Sequence, residues 1–195
     1  IVSKEDTMKK DLYLMRHGQT LFNVRRKIQG WCDSPLTELG IQQAQSAKEL
    51  LKDISFDHYY CSTAERASDT LELMTDKPYI RLKGLKERYF SVFEGESEDL
   101  NADITQFDNI FPLFGGEYSY EVRDRMVKTL TEIMEKEDHH TVLAVSHAGA
   151  CLNFLSAWED ANIIRKNGGF PNCSILHFGY EDKKFQFIEI LKVHI

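Results

Sequence analysis

The feature that most constrains this chain is Leu12-Tyr13-Leu14-Met15-Arg16-His17-Gly18-Gln19-Thr20, a short apolar run that stops abruptly at an arginine, a histidine and a glycine. An apolar run of this length, bounded by polar and glycine signals, fits a strand covered on both faces. Ligands of open parallel sheets sit at the carboxyl ends of such strands. Arg16 and His17 stand at that end. The same grammar returns at Val142-Leu143-Ala144-Val145, followed at once by Ser146-His147-Ala148-Gly149. One histidine after a strand is most simply a polar residue opening a loop. Two of them, each near a glycine that lets a ligand approach the backbone and one beside an arginine, point to a shared site.

With 195 residues the chain is long enough for one domain with a full core. Its formal net charge of -7 argues against nucleic acid or an anionic membrane as partner, yet leaves room for a local basic pocket holding a small phosphorylated substrate. No apolar run approaches the roughly 20 residues needed to span a bilayer, and the polar start lacks a signal-peptide core, so a cytoplasmic location is expected. Residues 1–7 precede Met8-Lys9-Lys10, which reads as a natural start. They are expected to be an expression remnant or a disordered start ahead of a single domain over 8–195. Cys32, Cys61, Cys151 and Cys173 form neither a CxxC pair nor a zinc spacing, which fits reduced thiols. Oligomeric state is open, a homodimer included.

After the first strand, a polar loop over 19–35 carries the most basic local stretch, Arg25-Arg26-Lys27. A helix is expected to start near Thr37, a good N-cap, with Leu39, Ala44, Ala47, Leu50 and Leu51 as its apolar spacing. The aromatic run 56–61 reads as a second strand leading into a strand-to-helix turn at Ser62, whose amides favour an anion. Arg66 lies in the first turn of that helix, the unfavourable end for a cation, so it is either solvated or kept for an anion. Residues 78–82 read as a short edge strand and 97–107 as a short helix, and the region around 88–118 as a lid or insertion. The spacing predicts a long amphipathic helix over 119–137 with Val122, Met126, Leu130, Ile133 and Met134 inward, and a further helix over 148–158. Strands over 173–178 and 185–191, joined by a turn at 179–184, close the chain. The alternation implies a three-layer α/β/α domain with a mainly parallel central sheet and an antiparallel edge strand.

Three chemistries could use these groups. A metallohydrolase wants clustered ligands, and His139-His140, adjacent on a polar turn, do not point at one ion. A cysteine phosphatase would start a phosphate loop at Cys61 and close it at Arg66, but that loop lacks glycine and falls one residue short of the usual spacing. The third uses neither metal nor thiol: a neutral His17 attacks phosphorus and forms a phosphohistidine, with Arg16 holding the dianion and keeping the imidazole neutral.

These residues carry a resemblance. Leu14 to Thr20 with Asn23, then Gln29-Gly30-Trp31-Cys32-Asp33-Ser34-Pro35-Leu36-Thr37 and Gly40, is similar to the signature of the histidine phosphatase superfamily, the phosphoglycerate mutase-like proteins. Ser62 with Arg66-Ala67 and Thr70 resembles its second arginine motif, Leu85, Glu87 and Phe93-Glu94-Gly95 its acid motif, and Ser146-His147-Ala148-Gly149 its second histidine motif. The resemblance implies a phosphoglycerate mutase-like fold and no cofactor or metal. It makes His17 the nucleophile, Arg16, Arg66 and His147 the phosphoryl pocket, and Glu87 the acid that protonates the leaving oxygen and then activates water. Asn23, Gln19, Ser62, Gln29 and Gly30 become candidate substrate contacts. Ser91 stands where the motif usually has glycine, and Tyr118 where serine is usual. Resemblance to the short bacterial phosphatases favours phosphomonoester hydrolysis of the histidine acid phosphatase type. A cofactor-dependent phosphoglycerate mutase and a non-catalytic phospho-ligand binder are the alternatives.

Overall fold

The structure, a computed structural model, describes residues 9–160 and 162–195, so the expectation for residues 1–7 lies outside the described residues. In chain order the elements are β1 (Lys10–Arg16), α1 (Leu21–Val24), α2 (Glu38–Leu50), β2 (His58–Ser62), α3 (Glu65–Met74), β3 (Ile80–Leu82), α4 (Phe107–Ile110), α5 (Ser119–Met134), β4 (Thr141–Ser146), α6 (Ala148–Leu155), α7 (Asn162–Lys166), β5 (Ile175–Glu181) and β6 (Lys184–Leu191). The sheet order is β3-β2-β4-β1-β5-β6. The first four strands are mutually parallel, β5 runs antiparallel to β1, and β6 returns antiparallel on β5. The antiparallel edge is therefore a hairpin, with the reversed strand one place in from the rim.

Strand alternation assigns the two faces. Leu12 and Leu14 pack with Met126, Leu130 and Phe154 of α5 and α6, while Tyr13 and Met15 pack with Ala44, Ala47 and Leu71 of α2 and α3. Burying a side chain such as Leu14 is worth about 1.5–3 kcal/mol, so a one-residue slip of β1 would forfeit several such contributions at once. The helix after β1 covers one face and the helix after β4 covers the other, so the two loops part company between these neighbouring strands. That divergence opens a crevice at their carboxyl ends, where Arg16 pairs with Ser146 and the next residues are His17 and His147.

Several expectations change in detail. On α2 the buried face is Gly40, Ala44 and Ala47, while Leu39 and Leu50 are 38% and 44% exposed, because small residues let this helix lie close to the β1 loop. Residues 97–107 are not one helix but 3-10 turns at Glu98–Leu100 and Ile104–Gln106 ahead of α4. Ser97 Oγ accepts from Asp99 N and Asp103 Oδ1 from Thr105 N, local bonds that compete with helix continuation. The last two strands extend to Glu181 and from Lys184, because Asp182 and Lys183, with φ of 49° and 60°, make a two-residue turn. Helices α5 and α6 end earlier than expected, at Met134 and Leu155, although all five inward positions of α5 are buried. Segment 88–118 is held by edge-to-face contacts among Phe90, Phe93, Phe107, Phe111 and Phe114. Ser91 there has φ 54°, the left-handed backbone that explains why glycine suits the position. No helix of the described residues is long and apolar enough to cross a membrane.

Candidate active site

His17 follows β1 and is almost fully buried. Its Nδ1 lies 2.7 Å from the Gly18 carbonyl oxygen, which can only accept, so Nδ1 carries the proton and Nε2 keeps its lone pair. Arg66 Nε donates to that Nε2 at 3.3 Å. Burial first, then Arg66 and Arg16, hold the His17 imidazole well below the ordinary histidine range and therefore neutral. The backbone of His17 is fixed as well: its N–H donates to Ser146 O at 3.0 Å, and its carbonyl accepts from Asn172 Nδ2 at 3.1 Å.

Arg66 is completely buried, which settles the two options the sequence leaves for it against solvation. Its Nη1 donates to Cys32 O and Asp33 Oδ1, both at 2.9 Å, and Nη2 to Gly30 O at 2.7 Å. The loop 30–33 thus grips the guanidinium with oxygens. That loop is in turn shaped by Glu94, whose carboxylate accepts from the N–H groups of Gly30, Trp31, Cys32 and Phe90 at 2.9–3.2 Å. Gly30 must be glycine here, since a Cβ would stand 2.3 Å from Arg88 O and 2.4 Å from Glu94 Oε1. The anion that the amides of α3 favour is supplied internally: Asp33 Oδ2 accepts from Glu65 N at 2.5 Å. Arg16 donates from Nη1 to Phe170 O at 2.7 Å, while its buried Nε has no protein partner.

His147 is fully buried, its ring 5.3 Å from that of His17. Ser62 Oγ accepts from Ala64 N at 3.1 Å and lies 2.7 Å from His147 Nε2, which among the described residues is the one acceptor in reach of its proton, so the hydroxyl donates to Nε2. The proton of this imidazole then sits on Nδ1, which is buried and without a protein partner, a donor ready for an anionic oxygen. Burial first, then Arg66, keep His147 well below the ordinary range. Glu87 rests on the start of α6, with Oε2 accepting from Gly149 N and Oε1 from Ala150 N, both at 2.8 Å. A Cβ on Gly149 would come within 2.6 Å of Glu87 Oε1, so the glycine makes this seat. The Glu87 carbonyl is tied to Arg125 Nη2 and Trp31 Nε1 at 2.8 and 2.9 Å.

The structure therefore brings His17, Arg16, Arg66, Glu87 and His147 to one crevice. The other sequence-picked residues are engaged in building it. Gln19 Oε1 accepts from Thr37 Oγ1 at 2.8 Å, Asn23 Oδ1 accepts from Thr20 N at 3.0 Å, and Gln29 Oε1 accepts from Thr20 Oγ1 at 2.7 Å. Gly30 offers its carbonyl to Arg66, and Ser62 orients His147. Sequence reasoning passes over Asn172, which bridges His17 O and Asn23 Oδ1, and Arg125, which pairs with Glu117 and holds the 84–87 backbone. The only local signal around Asn172 is the Asn172-Cys173-Ser174 glycosylation pattern, which says nothing of a contact to His17. Tyr118 cannot cap α5 with a short hydroxyl, and Asp108 Oδ1 instead accepts from Ser119 N at 2.7 Å. Burial pushes the Cys61 thiol up to about 12, which removes the thiolate that cysteine chemistry needs. Among the described residues, the group with metal-ligand spacing is His58, Asp138 and His139, away from this crevice.

Comparison with known proteins places the whole chain in a family. The family profile described as the histidine phosphatase superfamily (branch 1) matches residues 12–191. An adenosylcobalamin/alpha-ribazole phosphatase of Salmonella typhi is 31% identical over 191 residues, covering 92% of this chain and 90% of its own. A probable phosphoglycerate mutase of Proteus mirabilis, GpmB, is 28% identical over 88% of this chain and 85% of its own. The solved phosphoserine phosphatase of Entamoeba histolytica, in complex with 3-phosphoglyceric acid, superposes with a TM-score of 0.78 at 27% identity, covering 92% of this chain and 95% of that one. With two strand-end histidines, a buried arginine between them and a profile spanning nearly the whole chain, this protein belongs to the histidine phosphatase superfamily, branch 1.

Proposed function

We propose that the protein hydrolyses the phosphomonoester of a small phosphorylated metabolite through a phosphohistidine on His17. The observation that carries this is the bond from His17 Nδ1 to the Gly18 carbonyl, which leaves Nε2 as an unprotonated nucleophile. Nε2 attacks phosphorus in line as the P–O bond to the leaving group breaks. Arg16, Arg66 and the Nδ1–H of His147 hold the three equatorial oxygens, and Glu87 delivers a proton to the departing alkoxide. Glu87, now a carboxylate, takes a proton from the water that attacks the phosphohistidine, and phosphate leaves with His17 neutral again. Because the depressed basicity of His17 keeps it neutral in mild acid, the acid-phosphatase subtype fits the same site.

Hydrolysis is favoured over mutase chemistry by the 88–118 segment. A mutase must hold a second anionic group, and residues 89–122 contain no lysine, arginine or histidine but eight carboxylates. Arg88, at the start of the segment, is buried against Asp108 and Glu117 O. A cytoplasmic setting, with neither nucleic acid nor membrane as partner, fits the formal charge of -7 and is part of the proposal.

The test is to incubate the protein with a phosphomonoester, quench in alkaline denaturant and measure intact mass. One added phosphoryl group, stable in base, lost in acid and absent from His17→Ala, is expected. Turnover that survives His17→Ala, or a label that resists acid, would remove the reading.

A further inference from the structure

We propose that His58, Asp138 and His139 form a binding site for a divalent transition-metal ion at the pole of the sheet opposite His17 and His147. His58 opens β2 and His139 stands just before β4, and the parallel pairing of these strands, with His58 opposite Val142, brings the two imidazoles together. The Asp138 carboxylate lies between them, Oδ2 at 3.1 Å from His58 Nε2 and Oδ1 at 2.8 Å from His139 Nδ1. One ligand atom from each residue falls within 4.8 Å of the other two. A tetrahedral ion with bonds of about 2.0–2.1 Å places its ligands about 3.3 Å apart, inside the span these atoms already occupy. Two imidazoles and one carboxylate are a donor set suited to zinc, nickel or copper, whereas magnesium and calcium favour oxygen alone.

The site is built from both sides. His139 is nearly buried, and its Nε2 lies 2.7 Å from Tyr60 Oη, which also accepts from Lys136 Nζ at 2.9 Å. A bond from the second ring nitrogen is what orients an imidazole that binds metal through the first. Asp57 Oδ2 accepts from His140 N and Thr141 N at 2.8 and 2.9 Å, pinning the turn that carries Asp138 and His139 against the start of β2. The His58 and His139 rings stack at 3.5 Å and 7°, and each brings a ring nitrogen to the one Asp138 carboxylate, so their ligating edges face the same side. His58, whose side chain is 33% exposed against 4% for His139, is the freer ring to rotate off the stack and bring both lone pairs onto one ion. An ion held there ties the entry of β2 to the entry of β4 and stabilises the folded chain by mass action.

The experiment uses the full chain freed of metal with chelator and titrated calorimetrically with zinc, beside His58→Ala and Asp138→Ala, both changes at accessible side chains. One ion per chain with low-micromolar affinity is expected, weakened at least about tenfold in each variant, as loss of a ligand or its support requires. Zinc raises the melting temperature of the parent and not of the variants, and phosphomonoester turnover is unchanged in His58→Ala. With copper in place of zinc, electron paramagnetic resonance shows coupling to two imidazole nitrogens in the parent and one in His58→Ala. Affinity equal in parent and both variants, or no binding up to millimolar zinc, overturns the proposal.

Discussion

After β1 and after β4 the chain makes the same move, a buried strand delivering a histidine, yet the two imidazoles are wired in opposite senses. His17 has an acceptor behind it, the Gly18 carbonyl, and so presents a lone pair to the crevice. His147 has a donor behind it, the Ser62 hydroxyl, and so presents an N–H. In the proposed mechanism one ring attacks and the other holds charge, and the difference lies in a single backing atom rather than in either histidine. The turn after β4 has a second function that the β1 turn lacks, because the first amides of α6 seat Glu87.

The largest effect expected from this asymmetry comes from Glu87→Gln. Losing the positioned acid costs about 10²–10⁴ in kcat toward an alkyl phosphate, and much less toward p-nitrophenyl phosphate, whose leaving group departs without a proton. Equal losses on both substrates, measured by steady-state kinetics, would break the assignment of the acid to the β4 turn. His147→Ala comes next, with about 10²–10³ lost from kcat for one missing charge-stabilising donor, while the base-stable, acid-labile label on His17 still forms slowly. Ser62→Ala leaves the ring in place without its backing donor. A loss of about tenfold is expected, the scale of one hydrogen bond, and if the wiring is right it appears in kcat more than in KM.

The smallest effect is on stability. Both histidines are held well below the ordinary histidine range by burial and by Arg66. As pH falls below about 6.5, the unfolded chain takes up protons that the native chain refuses, so stability declines by up to about 1.4 kcal/mol per pH unit for each buried neutral imidazole. Urea midpoints at pH 7.5 and 5.5 check the direction, and His147→Gln is expected to flatten the slope relative to the parent.

How much of this could be read from the sequence depends on the range of the interaction. The strand ends at His17 and His147, the five inward positions of α5 and the ordered motifs that place Arg66 and Glu87 are local patterns, and the fold brings those side chains together. The wiring is not local. Glu94 holding the amides of 30–32, Asn172 bridging His17 and Asn23, and Arg125 gripping the 84–87 backbone join residues that no spacing rule connects. Gln19, Asn23 and Gln29 have the polarity of ligand contacts, but the same amides serve as braces wherever a loop must satisfy its own backbone. The Leu39 and Leu50 positions of α2 show the converse failure: apolar spacing marks them inward, while the close approach of small residues turns them out.

The pairing of Arg16 with Ser146 also bears on the order in which the chain comes together. β1 lies near the start of the sequence and β4 far along it, so their contact closes one of the longest loops in the molecule, an entropically late event for a folding chain. His17 and His147 become neighbours only when that loop closes. A nascent or partly folded chain thus carries an exposed histidine but no assembled pocket, and catalytic competence is acquired with a single long-range closure rather than growing in proportion to native structure.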